Sequence, residues 1–468
     1  MNEKHFIHPY IPNSVPEIKE EMLREIGVRD AEELFSEMIP ARLRLKRPMN
    51  LPKPLHAESD LKRHVETILA KNKTSCQYLS FLGAGCWNHY VPAVCDEISR
   101  RAEFLTAYAG LEYSDLGKYQ SFFEFQSMIG ELLEMDVVGV PTYDWGTAAG
   151  NAVRMASRIT GRREILVSEA VSPSRLSIIK NFCQPTVMPA HLVVKQIAFD
   201  RVNGQIDLDD LNKHISSETA GIYFENPNYL GVIEAQSGEI SKIAHDHGAQ
   251  SIVGVDPISL GVLRPPGQYD ADIACGDIQP LGIHMYCGGG LGGFLACRDE
   301  VKYVGEHPSF LITMTNTERE GEYAFGQCRY DRTSFVQREK AKDWMGTTTG
   351  LWSIVAAVYL ALIGSKGIKE IGESIVQKSH YTARRMARIK GVNVPFSSFF
   401  KEFVVNFDGT RKKVGGVNKA LLREGIFGGK DISKEYPALG QSALYCVTEI
   451  HTAKDIQKLC NVLKKAVD

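Results

Sequence analysis

The sequence predicts an α/β protein: a mostly parallel sheet with helices on both faces, followed by a smaller α+β unit. Two patterns carry this reading. From about residue 120, short β-branched runs (164–167, 192–197, 221–224 and 251–255) alternate with helical segments. Strands separated by helices argue a parallel sheet. After an apolar helical run at 351–363 the texture changes to a long helical stretch reaching about residue 390, two strands (403–407 and 443–448) and an amphipathic helix at 453–464. Composition agrees with a folded chain. The 468 residues are 44% apolar and 24% charged, which excludes a mainly disordered or collagen-like protein.

Taken in order, residues 14–17 (SVPE) have the form of a capping box with proline in the first turn. Ile18, Met22 and Ile26 then repeat at helical spacing up to Gly27, and Asp30 can cap a second helix carrying Leu34, Phe35 and Met38. Residues 42–55 alternate basic residues with leucine, and their three prolines forbid a continuing helix. This reads as an extended arm that needs a neighbouring surface. Phe122, Phe125, Ile129 and Leu132 mark one helix face, and the turn 143–146 opens another helix at 147–159. The helix at 240–247 stops at Gly248. The expected division is 1–75 (helices and arm), 76–345 (large α/β domain) and 346–468 (α+β domain).

A formal net charge of −2, from 54 basic and 56 acidic residues, lacks the electrostatic footprint of a nucleic-acid binder. The longest apolar run, 351–364, falls short of the ~20 residues needed to span a bilayer and reads as a buried core helix. The first residues, MNEKHFIHPY, have no apolar signal core. Ten cysteines are scattered without CxxC or zinc spacing, so no metal is expected and a reducing, cytoplasmic compartment is.

Asp256 follows the run 251–255, at the strand end where α/β sheets place ligand groups. In one large class of pyridoxal phosphate enzymes an aspartate here pairs with the pyridinium nitrogen; elsewhere it simply caps a turn. Such enzymes also need an amine for the aldimine, about twenty residues further on. No lysine occurs between Lys242 and Lys302; residues 272–280 lead instead through Gln279 and Pro280 to the glycine run 287–293. That run fits neither a dinucleotide fingerprint nor a P-loop, and reads as a tight strand connection. Two glycine- and aromatic-containing loops are further candidates. One is 81–90 (FLGAGCWNHY), with His89. The other is 106–114, with Thr106, Tyr108, Glu112 and Tyr113.

At this point the residues carry a family. RLKRPMNLP, FLGAGCWNHYVPAV, EFLTAY, FEFQSMI, GVIEA, VDPISLGVLRPPGQYDADI, QPLG, REKA, GIFGGKD and CVTE together resemble the first subunit (alpha chain) of the glycine dehydrogenase (decarboxylating), the P-protein of the glycine cleavage system. The resemblance runs over nearly the whole chain. It implies an aspartate-aminotransferase-like fold (fold type I), with decarboxylation of glycine and transfer of the aminomethyl group to a lipoylated H-protein. It also implies a homologous beta chain, in an α2β2 assembly, that binds pyridoxal phosphate covalently through a His-Lys pair. Gln279-Pro280 stands in that place here, so no catalytic residue is expected in this chain alone, with Asp256 and Thr147 as possible cofactor contacts.

Three segments depart from the family pattern. The family's Thr-Pro-Tyr-Gln after TAY is Ala109-Gly110-Leu111-Glu112 here. Its Thr-Ser-Asn-Ile-Cys-Thr-Asn after REKA is 342–348, with Trp344, Thr347 and Thr348. Its Asp-Gly-Gly-Thr turn is Asp144-Trp145-Gly146-Thr147. Loop changes on a matching scaffold alter substrate contacts more readily than fold. The alternative readings are a paralogous decarboxylase or aminomethyl-transfer subunit for another small amine or amino acid, and a non-catalytic scaffold partner.

Overall fold

The computed structural model describes residues 7–467 except 48, 106–117, 185–186, 188–189, 309–310, 335–336, 338, 340 and 343–348. Two compact units result, Met1–Asn72 and Lys73–Asp468.

The first unit contains α1 (Pro16–Ile26), α2 (Ala31–Met38) and α3 (Glu58–Leu69). Gly27 ends α1 with φ 86°, and the Asp30 side chain caps α2 by accepting from the Glu33 amide. The expected capping box does not form. Val15 is the N-cap of α1, and the Ser14 hydroxyl accepts from the His8 amide instead. With Pro16 at the first helical position, one orphan N–H is absent anyway. The sequence reading missed α3, whose polar face dominates its composition. None of the three helices buries a residue.

The second unit is built on a seven-stranded sheet. Its strands are β2 (Val137–Val138), β3 (Glu164–Ser168), β4 (Val193–Ile197), β5 (Thr219–Glu225), β6 (Gln250–Val255), β7 (Ile273–Asp277) and β8 (Gly293–Cys297), in the order β2-β8-β7-β6-β5-β3-β4; β1 belongs to the C-terminal part described below. The ladders from β7 to β4 are parallel, while β8 is antiparallel to both β7 and β2. Side chains alternate between two cores, as strand geometry requires. Leu166, Ile222, Phe224, Val253, Val255 and Ala274 enter one cluster, and Ile165, Val167, Ala220, Tyr223, Ile252 and Ile273 the other. After a short helix α4 (Ala93–Ser99), α5 (Tyr119–Leu133) joins the first core through Phe125, Ile129 and Leu133. The second core is covered by α6 (Trp145–Thr160) and α7 (Pro173–Cys183). The connecting helices α8 (Leu208–His214) and α9 (Ser237–Asp246) complete the alternation. A hairpin absent from the sequence reading, β9 (Ile312–Asn316) with β10 (Tyr323–Gln327), lies outside this sheet.

The apolar run at 351–363 opens α10 (Gly350–Met386). By length and composition this helix could cross a membrane. However, Ile354, Val355, Ala356, Tyr359 and Leu360 are buried in the apolar clusters of this unit, and the backbone breaks at Gly364 with φ 65° and ψ 176°. Next come β11 (Glu402–Asn406), α11 (Val414–Arg423), β12 (Ile426–Phe427), β13 (Lys430–Asp431), β14 (Ser442–Cys446) and α12 (Ala453–Val467). The sheet β11-β14-β13 has its own apolar cluster. That cluster includes Phe81, because β1 (Leu79–Ser80) pairs in parallel with β12. The segment around residue 80 therefore completes the C-terminal part, although it precedes the large sheet in sequence.

All ten cysteines are free, and seven of them are buried. Among the described residues no cluster suited to a metal ion occurs.

Candidate functional site

Asp256 lies at the C-terminal end of β6, as the sequence reading placed it, and is 4% exposed. One carboxylate oxygen accepts from the Ile258 amide at 3.1 Å, which caps the following turn. The other is held by Lys401 Nζ at 2.6 Å. Lys401 is itself 1% exposed and sits just before β11 with φ 61°. Its ammonium also reaches His89 Nε2 at 3.2 Å and lies 3.7 Å from the centre of the Trp87 ring. The three N–H bonds of an ammonium thus have three acceptors: a carboxylate, an imidazole and an aromatic face. With Nε2 accepting, His89 carries its proton on Nδ1 and donates to Glu449 at 2.7 Å. Burial would raise the Glu449 carboxyl, but the hydrogen bonds from His89 and the Tyr90 amide act against it and lower its pKa.

The loop 81–90 is fastened from three further directions. The Gln279 side chain accepts from the Trp87 amide at 2.9 Å and donates to the carbonyls of Trp87 at 3.0 Å and Ile283 at 2.9 Å. Glu402 accepts from the Ala84 amide at 2.6 Å and from the Trp87 indole at 2.8 Å, and its burial raises its pKa. The Thr448 hydroxyl donates to the Asn88 carbonyl at 2.7 Å. Behind the loop, Arg175 and Glu225 form a two-pronged ion pair, 2.6 Å at each prong. The guanidinium stacks 4.1 Å from the Trp145 ring. Tyr223 accepts from the Trp145 indole and donates to Glu225. Sequence reasoning missed Lys401, Arg175, Glu225 and Glu402, since buried charges carry no periodic signal. The run 399–403 (FFKEF) did hold a clue: charges inside an aromatic stretch must be paired if the stretch is buried.

Thr147 lies in the first turn of α6, and such a helix N-terminus is where an anionic group would bind. Here it is already served. The Thr147 amide donates to the Asp144 carboxylate at 2.6 Å. The fully buried Asp277, at the end of β7, accepts from the amides of Trp145, Gly292 and Gln279. Burial raises the Asp277 pKa to about 7 despite these donors.

Pyridoxal phosphate does not fit among these residues. Its ring nitrogen would compete with the Lys401 ammonium for Asp256, and its phosphate would meet the carboxylates of Asp144 and Asp277. Trp87, Trp145 and Lys401 leave a cavity of about 20 Å³, room for roughly one water. In this chain Asp256 and Thr147 are therefore engaged by the protein itself, and Gln279 ties down a loop. Pro280 lies within the turn that follows β7. Thr106, Tyr108, Glu112, Tyr113, Trp344, Thr347 and Thr348 lie outside the described residues.

A doubly wound sheet with a carboxylate at the end of a central strand and an α+β part after it defines the fold-type-I class of pyridoxal phosphate-dependent enzymes. The sphingosine-1-phosphate lyase of Burkholderia pseudomallei K96243 shares this fold, with a TM-score of 0.65 at 15% identity over 90% of this chain and 93% of that one. Within the class, the chain belongs to the glycine cleavage system P-protein family, which it matches over residues 8–463. It is 38% identical to the probable glycine dehydrogenase (decarboxylating) subunit 1 of Staphylothermus marinus, over 98% of each chain. It is 35% identical to the protein of the same description from Saccharolobus solfataricus, again over 98% of each. A crystal structure of glycine decarboxylase (P-protein), in inhibitor-bound form, superposes with a TM-score of 0.83 at 31% identity, covering 98% of this chain and 100% of that one. Family and fold imply pyridoxal phosphate as the cofactor of the enzyme.

Proposed function

We propose that this chain is the cofactor-free first subunit of a two-chain glycine decarboxylase and acts in the cytoplasm. A homologous second subunit carries pyridoxal phosphate on its own lysine, in an α2β2 assembly, and the aminomethyl group left by glycine passes to the lipoyl arm of an H-protein. The observation that carries the reading is the Lys401–Asp256 pair. A P-protein chain whose strand-end aspartate is neutralised from within, and which has Gln279-Pro280 where an anchoring lysine would stand, supports a site completed on another chain. The relatives named subunit 1 support the second chain.

In this reading the departures from the family pattern at 108–117 and 344–348, Glu112 and Trp344 among them, tune the choice of small amino acid in the partner's site. Loop 81–90 is held rigidly enough to serve as a wall of the same site, with Tyr90 66% exposed at its end.

The test is exchange of labelled bicarbonate with the glycine carboxyl, run with this chain alone, the second subunit alone, and both. Exchange only in the mixture is expected. Equal exchange by the second subunit alone refutes the reading and leaves a scaffold role. Turnover of another small amine but not glycine by the mixture points to the paralogous activity.

A further inference from the structure

We propose that Lys401 is a built-in counter-ion. Its ammonium stands where this fold would place the protonated ring nitrogen of its cofactor, and it turns that position into a latch for the loop 81–90. The proposal concerns this chain's interior and holds whatever substrate the assembled enzyme takes.

Three observations carry it. First, the ammonium has the ligands a protonated ring nitrogen would need and more. It has Asp256 at 2.6 Å and the Trp87 face at 3.7 Å, in a space with only about 20 Å³ left over. Second, the latch joins distant segments. Asp256 ends β6, Lys401 precedes β11, and His89 passes the connection on to Glu449 after β14. Third, the other side chains that hydrogen-bond the loop are uncharged or anionic: Gln279, Thr448, Glu402 and Glu449. Without the ammonium, Asp256 would be a buried carboxylate near Glu402 and an electron-rich indole face, an arrangement that costs far more than the pair itself. Exclusion of a cofactor and fastening of the loop are then one interaction.

Replacing Lys401 by alanine removes a propylammonium-sized piece and leaves an anion in an aromatic-walled cavity, which is a site for a small primary alkylammonium ion. The experiment uses the full chain. Thermal midpoint and tryptophan emission are followed for the native protein, Lys401→Ala, and Lys401→Ala with Asp256→Asn, each titrated with n-propylammonium chloride or with n-propanol. Lys401→Ala is expected to melt several degrees lower. Propylammonium should restore at least half of that loss saturably, propanol should not, and the double variant and the native chain should not respond. Equal rescue by propanol, or rescue that survives Asp256→Asn, overturns the proposal, as does an unshifted midpoint in Lys401→Ala. Should Lys401→Ala fail to fold, Lys401→Met, Asp256→Asn and their combination decide. A combined variant more stable than Lys401→Met alone is expected, and strictly additive losses overturn the proposal.

Discussion

Replacing Gln279 by leucine keeps the side chain's bulk and removes its amide. Two backbone groups then lose their partner, the Trp87 N–H and the Ile283 carbonyl, while the Trp87 carbonyl keeps only the His89 amide. All lie where water does not reach, since Gln279, Trp87 and Ile283 are 1%, 3% and 2% exposed. A buried polar group left unsatisfied costs about 1–3 kcal/mol, so the substitution should cost about 4 kcal/mol. The unit from Lys73 to Asp468 has about 400 residues. Its unfolding entropy at roughly 2.1 cal/mol/K per residue is about 0.8 kcal/mol/K, which converts the loss into a melting point lower by about 5 °C. The loss should be local as well as global. Amide exchange should accelerate over 83–90, the segment that Gln279 ties to the end of β7, before it does in β5 or β6. Gln279→His should fall between the two, because one imidazole cannot serve three backbone groups. Scanning calorimetry with hydrogen-exchange mass spectrometry reads both quantities. A loss below about 1 kcal/mol, or faster exchange spread evenly over the sheet, would refute the reasoning.

Glu225→Gln should cost about 3–5 kcal/mol in urea unfolding, because it strands the buried Arg175 charge, and Arg175→Met added to Glu225→Leu should recover most of that loss. Asp277 titrates near pH 7 in the folded chain and near 3.8 unfolded, so the folded state holds the extra proton between those values. Its contribution to stability is lost as pH rises from about 4 to 7, and Asp277→Asn should flatten that slope in midpoints measured across the window. Gly231→Ala should cost about 3 kcal/mol or more, since Gly231 has φ 83° and an added Cβ would run into the Glu402 carbonyl; a soluble variant with an unchanged melting point would contradict this. Deleting residues 1–72 removes three helices that bury nothing of their own, and co-purification with the second subunit should then fall below stoichiometric yield; undiminished co-purification would assign the arm another role. Restoring the family's segments after TAY and after REKA together should raise glycine exchange, a tenfold gain corresponding to about 1.4 kcal/mol of transition-state stabilisation; no gain in a stable complex would count against these loops setting specificity.

The alternation of strands and helices was legible in the sequence because β3, β5 and β6 are continuous apolar runs, the mark of strands buried on both faces. β7 and β8 were harder to see. Their runs IACGD and GFLAC hold glycine, alanine and cysteine rather than β-branched residues. Asp256 could be found because a carboxylate directly after a buried strand breaks the pattern. Its partner could not, since Lys401 is brought to it by tertiary folding alone. The meaning of Trp145 was half legible. The departure from a glycine-rich turn was visible, but that the indole fills the space beside Arg175 depended on the packing of α6 against α7.

The parallel pairing of β1 with β12 has a consequence for how the chain is made. Leu79 and Ser80 leave the ribosome long before Ile426 and Phe427, and Trp87 precedes its partner Glu402 by 315 residues. At about 5–20 residues per second, that gap keeps the segment waiting roughly 16–60 s. During the wait Phe81 has no core to enter, while the large sheet can already form from strands close in sequence. Closing so long a loop adds little to the equilibrium cost, because closure entropy grows only logarithmically, but it places the step late. A nascent chain arrested before residue 401 would hold most of the sheet, with Asp256 at the end of β6 lacking its lysine. Release of the last seventy residues is what allows the amino-terminal loop to dock.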